Sequence, residues 1–299
     1  MSNSIRPTNF DDVIGQADVV MRLKVMVEGC KKSMEVMPHV LIDGPPGLGK
    51  TTLSSAIANE LNAKLYTVNA AMIRTPKNII PYLMGLETKS VLFIDEIHRL
   101  PKLVEEFLYS VMEDFRIDML IQNQPESIDI PEFTMIGATT SGGSLSQPFY
   151  DRFTIKEHLS FYDENVLAEL ARSNSLKMNV TLTDQQAIEI GKRSKGTPRI
   201  LNARLKWYKN YKAYYPQEQD IDTIFSSQGI DSNGFDSNDQ QYIEILKKNR
   251  GNPLGLKAIS SMTGIAMETI ENSIEPYMIR MGYCIRTQKG RILGKIQRR

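Results

Sequence analysis

The run Gly44-Pro45-Pro46-Gly47-Leu48-Gly49-Lys50-Thr51 limits what this chain can fold into more than any other feature. It fits G-x-x-x-x-G-K-[ST], follows an apolar β-type run, Val40-Leu41-Ile42, and precedes a helical stretch over residues 53–61. The motif needs this strand–loop–helix setting, because its glycines let backbone N–H groups close around phosphates at a helix N-terminus. Gly44, Gly47 and Gly49 then shape the cradle, Lys50 reaches the β- and γ-phosphates, and the Thr51 hydroxyl ligates Mg²⁺. The loop by itself implies a nucleoside triphosphate. It does not separate a kinase or a GTPase from a motor.

Val91-Leu92-Phe93-Ile94-Asp95-Glu96 makes that separation. A sheet that holds a triphosphate needs a carboxylate at a nearby strand end for the magnesium, and Asp95 meets that need. Glu96 is then the general base that polarises the attacking water. Thr134-Met135-Ile136-Gly137 runs into Ala138-Thr139-Thr140, which puts the Thr139 hydroxyl where a polar group can orient that water. Asp151-Arg152-Phe153 sets a cation in a short loop after that strand, suited to act in trans on a neighbouring subunit's ATP. Gly196-Thr197-Pro198-Arg199 sets a second arginine at the start of a later helix. Together these features predict ATP hydrolysis regulated across subunit boundaries.

The pattern divides the chain into 1–160, 161–226 and 227–299. In the first zone near-uniformly apolar strand runs alternate with helical stretches, which predicts an α/β domain with a helix-covered parallel sheet. The second reads as a small helical lid. Asp163 caps one helix, Thr183 with Gln186 forms a capping box, and Thr197-Pro198 opens a helix with the stripe Leu201, Leu205, Tyr208 and Tyr211. Residues 216–238 are polar and rich in Gln, Asp, Ser and Gly, and are expected to form a linker with a short helical turn near 221–225. Candidate helices follow at 239–248, 256–263 and 268–281. Two short β runs then flank Gln288-Lys289-Gly290, the outline of a winged helix.

Charge supports a nucleic-acid contact at that end. The formal net charge is +1, yet residues 280–299 carry seven basic side chains and no acidic one, so the remainder is net acidic. At 299 residues with 41% hydrophobic content the chain can build two or three cores. The cysteines, Cys30 and Cys284, and the histidines, His39, His98 and His158, show no metal-ligand spacing. No 18-residue apolar run occurs and the first ten residues lack a signal-peptide pattern, so a cytoplasmic protein without a membrane contact is expected.

Taken together, Arg6-Pro7, Ile14-Gly15-Gln16, GPPGLGKTT (44–52), LFIDEIHRL (92–100), MEDF (112–115), IGATT (136–140), DRF (151–153) and GTPRI (196–200) closely resemble the RuvB family. Its members are hexameric AAA+ motors that drive branch migration of Holliday junctions. The likeness continues through Glu275-Pro276-Tyr277 and Arg286-Thr287-Gln288-Lys289-Gly290-Arg291. The resemblance implies that Ile5 and Arg6 lie at the base and sugar end of the nucleotide, with Gly47, Lys50, Thr51 and Thr52 on phosphates and Mg²⁺. Tyr162 and Arg199 complete the pocket, Glu113, Asp114 and Phe115 lie in a nucleotide-linked subunit interface, and Arg152 is the arginine finger. Arg286, Lys289 and Arg291 contact DNA backbone. It further implies a homohexamer, a four-way junction or duplex as DNA partner, and a RuvA-like junction-binding protein gripped by a hairpin within residues 118–133.

That hairpin is several residues shorter here than in the family, Tyr150 replaces a common arginine, and Thr154 replaces a glycine, which mark a divergent member. Two other readings share the motifs. A clamp-loader-like ATPase predicts Ser-Arg-Cys at the finger and a non-winged collar. A nucleotide-controlled DNA-binding scaffold has no need of Lys50, Asp95, Glu96 and Arg152 together.

Overall fold

The computed structural model describes residues 5–121, 124–249 and 251–294. The chain divides into two compact units, one formed by Arg6–Gly44 with Leu48–Ser160, the other by Met1–Ile5, Pro45–Gly47 and Phe161–Arg299.

The first unit contains α1 (Ala17–Ser33), β1 (Val40–Asp43), α2 (Lys50–Glu60), β2 (Leu65–Asn69), α3 (Pro76–Met84), β3 (Val91–Asp95) and α4 (Lys102–Asp114). These are followed by β4 (Arg116–Ile121), β5 (Gln124–Asp129), β6 (Thr134–Thr139), α5 (Gln147–Asp151) and β7 (Ile155–His158). Five strands form one parallel sheet in the order β2-β3-β6-β1-β7. Every residue of β6 is buried, as are the apolar residues of β1 and β3, which is what covering both faces of a sheet requires. Leu41, Leu92, Ile94 and Met135 belong to a core completed by Leu108 and Val111 of α4 and by Phe149 and Phe153. β4 and β5 pair as a separate antiparallel hairpin. Its tip, Gln122 and Asn123, lies outside the described residues.

The second unit contains α6 (Glu164–Lys177), α7 (Asp184–Lys192), α8 (Pro198–Tyr214), α9 (Ile221–Ser226), α10 (Ser237–Lys248), α11 (Leu256–Thr263), α12 (Met267–Thr269), α13 (Glu275–Arg280), β8 (Cys284–Thr287) and β9 (Gly290–Leu293). The capping box Thr183–Gln186 forms, and the Thr197 hydroxyl accepts the Ile200 N–H at 3.3 Å. Asp163 occupies the N-cap of α6 without a side-chain cap bond. β8 and β9 pair antiparallel around Gln288-Lys289, and α10, α11 and the helices before β8 supply the rest of a winged helix. Lys295, Arg298 and Arg299 of the basic cluster lie outside the described residues.

Two expectations need correction. Residues 216–238 contain the expected short helical turn, as α9, but they are packed where a linker is expected: Ile221, Ile224, Phe225, Ile230 and Phe235 are all buried. Arg204, itself buried on α8, donates to Gln228 Oε1 at 3.2 Å and to the Gly234 carbonyl at 3.4 Å. The apolar residues in this stretch are too widely spaced to stand out among polar neighbours, yet one turn of α9 brings three of them to a single face. The helix expected over 268–281 forms without a break from Met267 to Arg280, but Ile270–Ile274 within it is π-helical. Pro276 has no N–H for the carbonyl four residues back, and the Glu275 N–H reaches the Ile270 carbonyl instead. Among the described residues no helix is long and apolar enough to cross a membrane.

Candidate functional site

Strand order brings the motifs together at one edge. β6 lies between β1 and β3, so the P-loop leaving β1, the Asp95-Glu96 pair leaving β3 and Thr139-Thr140 leaving β6 emerge side by side at the carboxyl ends of the sheet. The Gly44 N–H donates to the Thr139 carbonyl at 3.2 Å. Gly44 has φ +146, and a Cβ there would lie 2.6 Å from the Leu159 carbonyl oxygen, so no other residue fits. α2 starts at Lys50 behind Gly49, with no side-chain cap and no acidic residue in its first turn. A helix start of this kind, with leading N–H groups and a positive dipole end and no acidic residue of its own, suits a phosphate. Lys50 is buried, and its Nζ donates to the Gly44 carbonyl at 2.6 Å. Thr51 and Thr52, both half-buried, follow in the same turn. A buried ammonium, a helix start, a hydroxyl and the Asp95 carboxylate form a donor set of hard oxygens and cations that fits a triphosphate with Mg²⁺.

Glu96 sits in the left-handed region at φ 53, a conformation costly for a residue with a side chain and concentrated at functional positions. Its N–H donates to Asp95 Oδ1 at 3.0 Å, which fixes the two carboxylates relative to each other. Glu96 Oε2 accepts from the Thr140 hydroxyl at 3.4 Å and lies 3.4 Å from His98 Nε2. The other ring nitrogen of His98 meets Thr139 Oγ1 at 3.0 Å, and that oxygen also accepts the Ser141 N–H at 2.9 Å. The hydroxyl on Glu96 is thus Thr140's, while the buried Thr139 hydroxyl is engaged by His98 and the backbone. Sequence reading did not single out His98. The only signal was its position two residues beyond Glu96, at the spacing that one 3₁₀ turn converts into contact.

Arg152 follows α5. Its guanidinium lies 5.5 Å from the centre of the Tyr109 ring and 2.7 Å from Glu113 Oε2. Asp114 is exposed at the end of α4, and Phe115, left-handed at φ 48, turns its ring onto Phe133 at 5.8 Å. A cavity of about 720 Å³ adjoins Arg152 and Glu113, with Met34, Lys89 and Phe133 also on its wall.

The remaining expected nucleotide residues sit as follows. Arg6, in the first unit, is exposed and has a partner in the structure. In the second unit Ile5 is half-buried, and the Tyr162 N–H donates to the Gly196 carbonyl at 2.9 Å. The Arg199 N–H donates to the Gly47 carbonyl at 3.3 Å, and a Cβ on Gly47 would stand 2.9 Å from Arg199 Cβ. With φ +84, Gly47 is therefore needed both for its backbone and for this approach.

On the wing, Arg286 and Arg291 share one carboxylate. The fully buried Glu275 accepts from Arg286 Nε at 2.8 Å and from Arg291 Nε at 2.8 Å, and Tyr242 adds a hydroxyl at 3.0 Å. Arg291 also reaches Glu271 at 3.1 Å, whereas Lys289 is exposed at the turn. Burial pushes the Glu275 carboxyl up, but the bonds from Arg291, Arg286 and Tyr242 outweigh it and hold the group below its ordinary value of 4.5. Removing such a carboxylate strands its partners. Glu275→Gln is expected to cost about 3 kcal/mol at pH 7, the low end for breaking a buried pair because Arg286 reaches water. The folded state ionises this group more readily than the unfolded one, so its contribution is present above 4.5 and is lost as pH falls through the depressed folded-state value. Urea unfolding followed by emission of Trp207, the single tryptophan, tests this: the gap to the parent must shrink on acidification, and a gap unchanged between pH 7 and pH 4 refutes it.

Comparison with known proteins matches three adjoining family descriptions. They are the Holliday junction DNA helicase RuvB P-loop domain over residues 5–159, the RuvB AAA lid domain over 162–236 and the RuvB C-terminal winged helix domain over 232–296. The Campylobacter hominis Holliday junction branch migration complex subunit RuvB is 42% identical over 301 residues, covering 98% of this chain and 88% of the relative. Its counterpart from Rhodopirellula baltica is 38% identical over 302 residues, covering 97% and 81%. The solved Thermotoga maritima RuvB Holliday junction branch migration motor superposes with a TM-score of 0.88 at 38% identity, covering 97% of this chain and 96% of that one.

Proposed function

The chain belongs to the RuvB family of P-loop AAA+ ATPases, and from that premise we propose that it spends ATP to drive branch migration of Holliday junctions during recombination and repair. One observation carries the reading within the structure: Lys50, Asp95 and Glu96 stand at the carboxyl ends of strands on either side of β6, beside an uncapped helix start.

In this reading Gly44, Gly47, Gly49, Lys50, Thr51 and Thr52 bind the phosphates, and Thr51 and Asp95 hold Mg²⁺, which neutralises charge on the transferring phosphoryl group. Glu96 takes the proton of the attacking water, with Thr140 and His98 setting its carboxylate. Ile5, Arg6, Tyr162 and Arg199 complete the nucleotide set, and Glu113, Asp114 and Phe115 line a subunit interface from which Arg152 serves a neighbouring ATP. The active form is a homohexameric ring in the cytoplasm, divided functionally into ATPase (1–160), lid (161–226) and winged-helix (227–299) parts. Arg286, Lys289 and Arg291 touch DNA phosphates rather than bases, as suits a motor indifferent to sequence. A RuvA-like junction-binding protein engages the β4–β5 hairpin.

The test is ATP-dependent dissociation of a synthetic four-way junction, with and without a RuvA-like protein. Folded, ATP-binding protein that is inactive in both conditions would refute the reading.

A further inference from the structure

Three side chains spaced four residues apart on α4, Glu105, Tyr109 and Glu113, meet either Ser146, the N-cap of α5, or the arginine that follows that helix. Glu105 is 3% exposed, and its Oε2 accepts the Ser146 N–H at 3.1 Å and the Ser146 hydroxyl at 2.5 Å, holding the start of α5. Tyr109 underlies the Arg152 guanidinium at 5.5 Å, and Glu113 pairs with it at 2.7 Å. α4 is itself pinned at its far end. The Met135 N–H donates to His39 Nδ1 at 2.9 Å, which leaves His39 Nε2 to donate to the Met112 carbonyl at 3.2 Å.

Stability alone does not account for this ladder. Leu145, Phe149 and Phe153 already seat α5 in the core. Among the described residues Glu105 has no cationic partner, and a buried carboxylate without one contributes less than an apolar side chain of its size would. The Glu113 pair is half exposed and worth little in isolation. What the three contacts do achieve is a single orientation for one long, flexible side chain. We infer that Glu105, Tyr109 and Glu113 are positioning residues for Arg152, and that α4 is the arm that presents this arginine to a neighbouring subunit's ATP. The inference rests on the reading of Arg152 as acting in trans.

Misplacement by about 1 Å costs up to roughly 10²-fold in rate, so Glu105→Gln, Glu113→Gln and Tyr109→Leu are each expected to lower kcat for ATP hydrolysis about tenfold. KM for ATP should stay within about twofold, because these side chains hold the arginine and not the chain's own nucleotide. Tyr109→Phe keeps the ring face and should restore the parent rate. Mixing locates the defect. Chains carrying Lys50→Ala have no turnover of their own but bring an intact α4 and Arg152. An excess of them should restore hydrolysis by the Glu105→Gln, Glu113→Gln and Tyr109→Leu chains, as it should for Arg152→Ala chains.

If Arg152→Ala is not restored, the reading of Arg152 in trans fails and the inference falls with it. If Arg152→Ala is restored but the α4 variants are not, the inference alone fails. A rise in KM at unchanged kcat, or a loss fully explained by impaired assembly in sedimentation, overturns it equally. Should the buried Glu105→Gln chain misfold, the solvent-accessible Glu113→Gln and the half-buried Tyr109→Leu decide the matter.

Discussion

Replacing Glu96 by Gln is expected to leave ATP affinity within about twofold of the parent while lowering turnover by about 10²–10⁴-fold, the usual worth of a general base. The amide is nearly isosteric and can still accept from Thr140, so the left-handed turn and the neighbouring Asp95 contact should persist. It cannot take a proton from water. Branch migration should cease with hydrolysis, and the protein should accumulate on DNA in its ATP-bound form. A fluorescent ATP analogue measures affinity, phosphate release measures turnover, and a labelled four-way junction measures migration. Survival of migration in this variant would show that the base lies elsewhere.

Arg152→Ala carries the other large effect. A cation that neutralises charge on the transferring phosphoryl group is worth about 10³–10⁵ in rate, so near-complete loss of turnover is expected with ATP still bound. Folding should be little affected. The ion pair being removed joins side chains 36% and 52% exposed, and such pairs contribute about 0–1 kcal/mol. Equal thermal stability together with a fall of less than tenfold in turnover would remove Arg152 from the transition state and make it a surface residue.

The site was legible from sequence where chemistry dictates a contiguous pattern. The P-loop, the apolar strand ending in Asp95-Glu96 and the Thr197-Pro198 helix start all declare themselves because neighbouring residues act together. Residues joined only by sheet order were harder to read. Thr139 ends β6 and Thr140 follows it, and only the fold of the turn after β3 shows that the first hydroxyl meets His98 and the second meets Glu96. Glu275 lies in an amphipathic helical stretch where a carboxylate looks solvated, and its burial between Arg286, Arg291 and Tyr242 depends on how β8 and β9 fold back. The basic wing was visible as charge. Its partial neutralisation by Glu275 and Glu271 was not.

The packing of residues 216–238 has a structural consequence. Lys195, in the turn before α8, forms an ion pair with the buried Asp239 of α10, and Arg204 ties α8 to the Gly234 carbonyl. Tyr277 of α13 meets Phe161 at 6.3 Å and Phe235 at 6.3 Å. These contacts join the turn that precedes Arg199 to the winged helix that carries Lys289 within one compact unit. The route from the wing to the turn before α8 thus runs through buried side-chain contacts and not only along the backbone.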